Sequence, residues 1–440
     1  MGRAATLPLD VLSAARRILP NAPYSGKNVC VIGGGPGGLL CAHRLRQSFN
    51  VTVIDAKEYF EMTPSVPRAV VKPSHHRVVT FRYEDVLPSR MGVNFLAGRV
   101  LDLKEDSATV QVHHDDSELN VKFDYAIIAT GSETGIWKPS MDPRQSTAPT
   151  LQRRKESRAL ELIRMQEKLK SCKTVDIIGA GLVGVELAAE LAYYYPRMKV
   201  VLRDLQPTVL PVLPPAAQAY AQDWLTRHGV RLSLGPEQDE SEADLTFSCV
   251  GLKPHSPILP ESCLENGWIR VSKTLEVQQL CEAVSSPEVA QEDAKPQAEQ
   301  SGDAPEQTTE QKPAAEKEPD LITTQSFGDG RIFAVGDAVQ LDGAAIPKAI
   351  YWAEEMACVA ACNITAKEGI GASWETEREL QMSPNLVCCS LGPHDGLFTI
   401  GENLVTTGPP AAVQKAVIEQ TKMSSLRDEP LGRLIWELVH

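Results

Sequence analysis

Short apolar runs and a glycine-rich turn alternate near the start of the chain and predict a βαβ unit. Residues 29–32, Val-Cys-Val-Ile, form the uninterrupted apolar run that is typical of a strand buried on both faces. A turn with spaced glycines follows over residues 33–38, and a helical stretch follows over 39–46. Residues 51–54, Val-Thr-Val-Ile, form the next apolar run. This order of elements predicts the start of a parallel α/β domain.

The same order of elements returns further along the chain. It comprises a strand over 174–178, a turn over 179–184, a helix over 185–194 and a strand over 199–202. The first glycines of the two turns, Gly33 and Gly179, are 146 residues apart. A repeat at this distance predicts two separate domains of one kind.

The remaining pattern predicts the domain organisation. Residues 282–320 are rich in Glu, Gln, Ala and Pro and nearly lack large apolar groups, which predicts a disordered acidic insertion. We expect it to interrupt a hairpin between 268–271 and 321–323. The predicted fold is α/β, with two Rossmann-like domains, the second inserted in the first, and a small α+β C-terminal domain. The expected parts are an N-terminal extension, 1–27; the first domain, 28–135 and 325–375; the second domain, 150–281; and the C-terminal domain, 376–440.

Two helical patterns lie outside the repeated units. Residues 151–170 predict an exposed basic helix whose cations form a solvated face. Near the end of the chain, Leu431, Leu434, Ile435 and Leu438 follow helical spacing. Such a stripe is more typical of core or of a homodimer interface than of membrane contact, because Arg433 is the last stretch's only basic residue.

The first glycine-rich turn has the residues that a dinucleotide pyrophosphate requires. Gly33 permits the tight turn, Gly35 lets the backbone approach a phosphate, and Gly38 lets the helix pack closely on the strand. The helix N-terminus then offers free N–H groups and the positive end of its dipole. Asp55 ends the next strand, where its carboxylate can accept hydrogen bonds from ribose hydroxyls. The turn therefore predicts a dinucleotide site.

The second turn repeats this chemistry with Gly179, Gly181, Gly184 and Asp204. Arg203 precedes the acid and is interpreted either as a ligand of a 2′-phosphate or as a plain surface cation. Asp204 favours a free 2′-hydroxyl. NADH and NADPH both stay open, with NADH favoured.

Three further apolar strands end in short polar motifs. Residues 125–131 end in Ala-Thr-Gly, residues 245–251 are a weaker echo of this strand, and residues 331–338 end in Gly-Asp-Ala. Together with both glycine turns, this order resembles the two-dinucleotide-binding flavoprotein superfamily, also called the pyridine nucleotide-disulfide reductases. The resemblance covers roughly residues 28–375 apart from the insertion. It implies FAD in the first domain and NAD(P)H as co-substrate in the second.

The absence of cysteine after Asp55 helps to identify the branch of the superfamily. Residues 57–64 contain no Cys, and no Cys-x-x-Cys pair occurs, so neither a redox disulfide nor a metal site is expected. Residues 184–190, 195–196 and 346–349 resemble the apoptosis-inducing-factor-like, mitochondrion-associated flavoproteins, which include the ferroptosis suppressors. Type II NADH dehydrogenases carry Gln after the Gly-Asp motif, whereas this chain has Ile350 and Glu354.

The resemblance also implies residue roles. It places Glu186 near the nicotinamide and flavin rings, and Lys348 near the flavin, where a cation stabilises the reduced, anionic ring. These are the candidate catalytic residues. The implied FAD contacts are Gly33, Gly35, Gly38, Asp55, Lys57, Thr63, Pro64, Ala129, Thr130, Gly131, Gly336 and Asp337, and the implied NAD(P)H contacts are Gly179, Gly181, Gly184, Asp204 and Gly251.

The group's activity implies hydride transfer from NAD(P)H to FAD and onward transfer of electrons to a quinone-type acceptor. Two alternatives stay open. One is a reductase of monodehydroascorbate or of a ferredoxin-like protein. The other is a slow redox signalling protein that responds to NADH by changing partners.

The net charge and the N-terminal residues indicate which partners and which cellular location to expect. The formal net charge is -13, of which residues 281–320 carry -8 (eleven acids against three lysines), so nucleic acid is not an expected partner. Gly2 fits an N-myristoylation pattern, which predicts a cytoplasmic protein or one bound peripherally to a membrane. The arginines of residues 1–27 also resemble a mitochondrial presequence, which is the alternative.

Overall fold

The computed structural model describes residues 24–133, 153–237, 242–282, 322–342, 344, 346–370 and 377–439. The predicted extension 1–27 lies almost wholly outside these residues, and the predicted disorder of the insertion 282–320 falls outside them from residue 283 onward.

Helices and strands are numbered separately in chain order. The longer helices are α1 (Pro36–Leu45), α2 (Val66–Val71), α3 (Lys155–Ser171), α4 (Leu182–Tyr194), α5 (Pro215–Arg227), α6 (Ile350–Lys367), α7 (Pro409–Leu426) and α8 (Pro430–Val439). The strands are β1 (Asn28–Ile32), β2 (Asn50–Asp55), β3 (Tyr59–Glu61), β4 (Thr80–Arg82), β5 (Asn94–Leu103), β6 (Ser107–Val112), β7 (Glu118–Lys122), β8 (Tyr125–Ile128), β9 (Ser132–Glu133), β10 (Thr174–Ile178), β11 (Lys199–Asp204), β12 (Arg231–Leu234), β13 (Leu245–Ser248), β14 (Lys253–Pro254), β15 (Leu264–Glu265), β16 (Trp268–Val271), β17 (Gln278–Glu282), β18 (Ile322–Ser326), β19 (Ile332–Ala334), β20 (Val339–Leu341), β21 (Leu386–Ser390), β22 (Gly396–Ile400) and β23 (Leu404–Thr407). Short helical turns lie at Thr63–Ser65, Pro73–Arg77, Tyr83–Asp85, Leu87–Met91, Glu261–Cys263 and Gly336–Ala338.

The first unit is a sheet with the order β19-β8-β1-β2-β5-β6-β7. The pairs from β19 to β5 are parallel, and β6 and β7 extend the sheet as antiparallel strands. The chain leaves this sheet after β8 and returns in β19, which pairs directly with β8. The elements of the second unit therefore lie between two neighbouring strands of the first.

The second unit is a parallel sheet with the order β12-β11-β10-β13. A third, antiparallel sheet, β21-β22-β23, packs against α7 in the C-terminal domain. Two apolar cores follow this division, since one contains β1 with α1 and α6, and the other contains β10 with α4. The predicted α/β fold with two Rossmann-like units is confirmed.

Two details correct the sequence interpretation. The hairpin that flanks residues 283–321 is formed by β17 and β18, whereas β16 pairs with β15 and, in parallel, with β20. Helix α3 is not a wholly solvated basic face. Its Arg158 is only 3% exposed, because Glu61 accepts a hydrogen bond from Arg158 Nε at 3.1 Å.

Candidate functional site

A cavity of about 610 Å³, called the large cavity below, opens where β1, β2 and β8 end and α1 begins. Most of the residues predicted to contact FAD line it, although they come from distant parts of the chain. These are Gly33, Gly35, Asp55, Lys57, Thr63, Ala129, Thr130, Gly131, Gly336 and Asp337. Gly38 and Pro64 do not line it.

The glycine turn of the first unit is shaped for a bulky anion. A Cβ on Gly38 would lie 2.0 Å from the Gly33 oxygen, and one on Gly33, where φ is +106°, would lie 2.3 Å from the Ala129 oxygen. A Cβ on Gly35 would meet nothing within 4 Å, because Gly35 faces the large cavity. With Pro36 opening α1 and no acid in its first turn, this cradle fits the pyrophosphate of FAD.

Asp55 and Tyr83 hold the turn in place. The Asp55 carboxylate accepts hydrogen bonds from the backbone N–H groups of Gly34 at 2.6 Å and Lys57 at 2.7 Å. The Tyr83 hydroxyl donates to the Gly34 carbonyl at 2.8 Å. Burial, followed by Asp55, raises the pKa of Tyr83 well above its usual value, so the phenol stays a donor. Sequence reasoning missed Tyr83, because it lies 49 residues beyond its partner Gly34.

Glu61 places a second carboxylate at the wall of the large cavity. It pairs with Arg158 of α3 and lies 3.4 Å from His76 Nε2. Burial alone would raise the pKa of Glu61, but Arg158 and His76 lower it to about 2. Glu61 is therefore ionised at neutral pH, and its ion pair with Arg158 ties helix α3 to the wall of the large cavity.

Asp337 and Lys348 influence each other electrostatically without forming a direct ion pair. Asp337 lines the cavity, and burial raises its pKa although Lys348 opposes the change. Burial lowers the pKa of Lys348, against the influence of Asp337. Lys348 does not line the cavity. Its ammonium donates to the Val339 carbonyl and lies 4.4 Å from the centre of the Trp268 ring, so its direct contact with flavin stays a prediction.

The second unit reproduces the first turn closely. The Asp204 carboxylate accepts from Ala180 N at 2.6 Å and Gln206 N at 2.8 Å. A Cβ on Gly184 would lie 1.8 Å from the Gly179 oxygen, whereas one on Gly181 or Gly251 would meet nothing within 4 Å. Exposed apolar side chains surround this edge, where they can cover an adenine ring: Ile178, Leu205, Val250 and Leu252.

Arg203 has neither of the roles considered for it. The side chain is buried inside the second unit, and Arg203 Nε donates to the Asp176 carboxylate at 2.6 Å. Neighbouring residues of a strand point to opposite faces, so Arg203 points away from the side that Asp204 presents. The structure therefore gives no support to a 2′-phosphate contact at Arg203.

A second cavity, called the small pocket below, has a volume of only about 40 Å³ and lies where the three domains meet. Pro64 and Arg68 come from the first domain, Glu186 from α4, and Ser390 and Lys415 from the C-terminal domain. Thr63 lines the large cavity and its neighbour Pro64 lines the small pocket, so the two spaces adjoin. Glu186 therefore lies beside the large cavity, although none of the residues predicted to contact NAD(P)H lines either cavity.

Other chemistry is limited in the part of the chain that the structure describes. All ten cysteines lie there; none forms a disulfide and none lines either cavity. No group of three His, Cys, Asp or Glu side chains in these residues is arranged to hold a metal. Within the same ranges, no helix is both long and apolar enough to cross a membrane.

The family model described as pyridine nucleotide-disulphide oxidoreductase matches residues 27–284. Ferroptosis suppressor protein 1 of Xenopus laevis is 26% identical over 281 residues, which are 57% of this chain and 70% of that protein. Apoptosis-inducing factor homolog B of Dictyostelium discoideum is 34% identical over 171 residues, 39% of this chain and 40% of that protein.

Two solved structures share the fold over nearly the whole length. NDH2 from Plasmodium falciparum in complex with NADH has a TM-score of 0.67 and 11% identity, covering 93% of this chain and 97% of that one. The sulfide:quinone oxidoreductase from Aquifex aeolicus has a TM-score of 0.65 and 16% identity, covering 92% of both chains.

Proposed function

Because the chain belongs to the pyridine nucleotide-disulphide oxidoreductase family and is an FAD- and NAD(P)H-dependent oxidoreductase, we propose that it passes electrons from NADH to a quinone-type acceptor. Its predicted likeness to the apoptosis-inducing-factor and ferroptosis-suppressor branch is confirmed. The observation that carries the proposal is that Thr63 lines the large cavity, while its neighbour Pro64 lines the small pocket together with Glu186 of the second nucleotide unit.

The bound cofactor supplies the hydride chemistry, and the chain positions and shields it. The turn at Gly34, which Asp55 holds, and the α1 N-terminus would bind the pyrophosphate, and Asp337 also lines the large cavity. Lys348 lies near enough for its charge to act on Asp337, and a cation in this region would favour added negative charge. Glu186 ties α4 of the second unit to Ser390 and Lys415 of the C-terminal domain at the small pocket.

NADH is the proposed donor because of the charges beside Asp204. The residues that follow Asp204 are Leu205, Gln206 and Pro207, which carry no cation. The nearby cation in sequence, Arg203, is held by Asp176. A 2′-phosphate would therefore meet the Asp204 carboxylate without a compensating charge, whereas a 2′-hydroxyl can donate to it.

A small diffusible acceptor is favoured by the state of the thiols. Cys388 and Cys389 lie near Glu186. Burial, and to a smaller extent Glu186, raises the pKa of Cys388 to about 11. The pKa of Cys389 is raised further by burial. Protonated thiols attack disulfides slowly. The quinone class is suggested by the fold shared with a sulfide:quinone oxidoreductase.

The test is anaerobic mixing of the purified holoprotein with NADH, followed in the flavin absorbance band, and then addition of a short-chain ubiquinone. We expect rapid bleaching by NADH, slower bleaching by NADPH, and full recovery of absorbance with quinone. If the flavin absorbance recovers only with ferredoxin or monodehydroascorbate, that acceptor replaces quinone in the proposed reaction. Absence of bleaching with either nicotinamide would contradict the proposed enzyme and favour the signalling alternative.

A further inference from the structure

Helix α7 presents a row of charged side chains to the nucleotide domains. Lys415, Glu419 and Lys422 are spaced so that they lie on one face of the helix. Lys415 pairs with Glu186 of the second unit, Glu419 with Ser65 and His75, and Lys422 with the fully buried Glu354 of α6. The C-terminal domain is thus attached to both nucleotide domains by charged side chains of α7.

Lys415 closes the small pocket. Its ammonium contacts the Glu186 carboxylate and lies 3.1 Å from the Ser390 hydroxyl. Ser390 N donates to the same carboxylate at 2.7 Å. The side chains of Lys415 and Glu186 are only 18% and 6% exposed. Although burial disfavours its charge, Glu186 raises the pKa of Lys415, so the bridge is an ion pair.

The volume of the small pocket beside the Lys415–Glu186 bridge limits the size of the molecules that can enter it. About 40 Å³ accommodates a few water molecules at roughly 10–15 Å³ each. A quinone ring is several times larger than water and cannot lie between Pro64 and Glu186 while the bridge is closed. A ring that approaches by this route must displace the Lys415 ammonium, and separating a buried ion pair is unfavourable.

We propose that Lys415 is a specificity-determining residue, whose bridge to Glu186 restricts the access of ring-shaped acceptors to the large cavity beside Thr63, where the flavin ring is expected. The inference rests on the proposed function, since it concerns the acceptor of that same site. The restriction therefore acts on the step in which the reduced flavin passes electrons to the acceptor, and not on reduction of the flavin by NADH. Acceptors that take single electrons from the protein surface do not have to displace the bridge.

The experiment compares Lys415→Ala with Lys422→Ala. Both variants remove a lysine of α7 that pairs with a buried glutamate of a nucleotide domain, but only Lys415 lines the small pocket. Flavin content and thermal unfolding establish that each variant is folded. For each holoenzyme we measure anaerobic bleaching by NADH, kcat/KM with a short-chain ubiquinone, and kcat/KM with ferricyanide.

We expect Lys415→Ala to raise the ubiquinone-to-ferricyanide ratio of kcat/KM about tenfold. The ratio is the readout because any effect on reduction by NADH, through Glu186, applies equally to both acceptors. Lys422→Ala should leave the ratio at the wild-type value. An unchanged ratio in Lys415→Ala, an equal change in Lys422→Ala, or a change confined to NADH bleaching overturns the inference. If NADH bleaches the flavin but ubiquinone oxidises neither wild type nor Lys415→Ala, the proposed acceptor falls as well.

A second variant keeps the test decisive if Lys415→Ala does not fold. Ala416 also lines the small pocket and is exposed, so a larger side chain there is compatible with folding. Ala416→Leu narrows the pocket without touching the ion pair. We expect a severalfold lower kcat/KM with ubiquinone and unchanged activity with ferricyanide; equal effects on both acceptors would contradict the inference.

Discussion

The two nucleotide units share a turn but differ in their surroundings. Gly33 and Gly179 have φ of +106° and +105°, and Asp55 and Asp204 each accept two backbone N–H groups. The first turn opens into a cavity of about 610 Å³ that is walled by elements from across the chain. The second lies at a sheet edge with exposed Leu205 and Val250. We therefore expect one motif to hold a retained cofactor in the first unit and an exchanging co-substrate in the second.

The largest expected effect breaks the first unit. Gly38→Ala places a Cβ 2.0 Å from the Gly33 oxygen, so the turn and α1 must separate. We expect the purified variant to contain almost no flavin, measured as the ratio of flavin to protein absorbance. Gly35→Ala is the control, because its Cβ meets no protein atom within 4 Å; it should fold normally and bind FAD more weakly. Full flavin content in Gly38→Ala would contradict the proposed cradle.

The matching change in the second unit should separate the two sites. Gly184→Ala places a Cβ 1.8 Å from the Gly179 oxygen. We expect normal flavin content but bleaching by NADH slowed about a hundredfold, equivalent to roughly 2.7 kcal/mol. Chemical reduction by dithionite should be unaffected. Loss of flavin in this variant would mean that the two units are not independent.

A smaller effect is expected on the preference of the second unit for NADH over NADPH. Asp204→Ala with Leu205→Arg removes the carboxylate and adds a cation beside the ribose. We expect the NADPH-to-NADH ratio of bleaching rates to rise about tenfold or more, since a hydrogen bond to a charged group contributes about 1.5–3 kcal/mol.

Arg203→Met is the control for that double variant. It leaves Asp176 without the partner that holds it at 2.6 Å, and we expect a loss of stability of about 3–5 kcal/mol. The ratio of the two nucleotides should stay constant in this variant. A change in the ratio would restore Arg203 as a nucleotide ligand.

The smallest effect concerns the support of the first turn. Tyr83→Phe removes the hydroxyl that donates to the Gly34 carbonyl at 2.8 Å but keeps the ring. We expect FAD to bind about fivefold more weakly, corresponding to about 1 kcal/mol. Titration of the apoprotein with FAD measures this change. An unchanged affinity would show that ring packing alone supports Gly34.

The sequence predicted best those features whose partners are close along the chain. Gly33, Gly38 and Asp55 act within one βαβ unit, and their spacing alone determines the turn. Arg203 was misjudged although strand alternation, which turns it away from Asp204, was available as a signal.

Other contacts carry no local signal. Glu186 and Lys415 are 229 residues apart, and Glu61 and Arg158 are 97 apart, so only the packing of whole domains brings them together.

The hairpin of β17 and β18 has a consequence for engineering. Glu282 pairs with Ile322, so the two residues that flank 283–321 are held side by side. Lengthening a connection between ends that are already fixed side by side costs only about 0.6 kcal/mol for each doubling. Since Glu282 and Ile322 are already paired, we expect both nucleotide units to fold when a short turn, an affinity tag or a fluorescent reporter replaces residues 283–321.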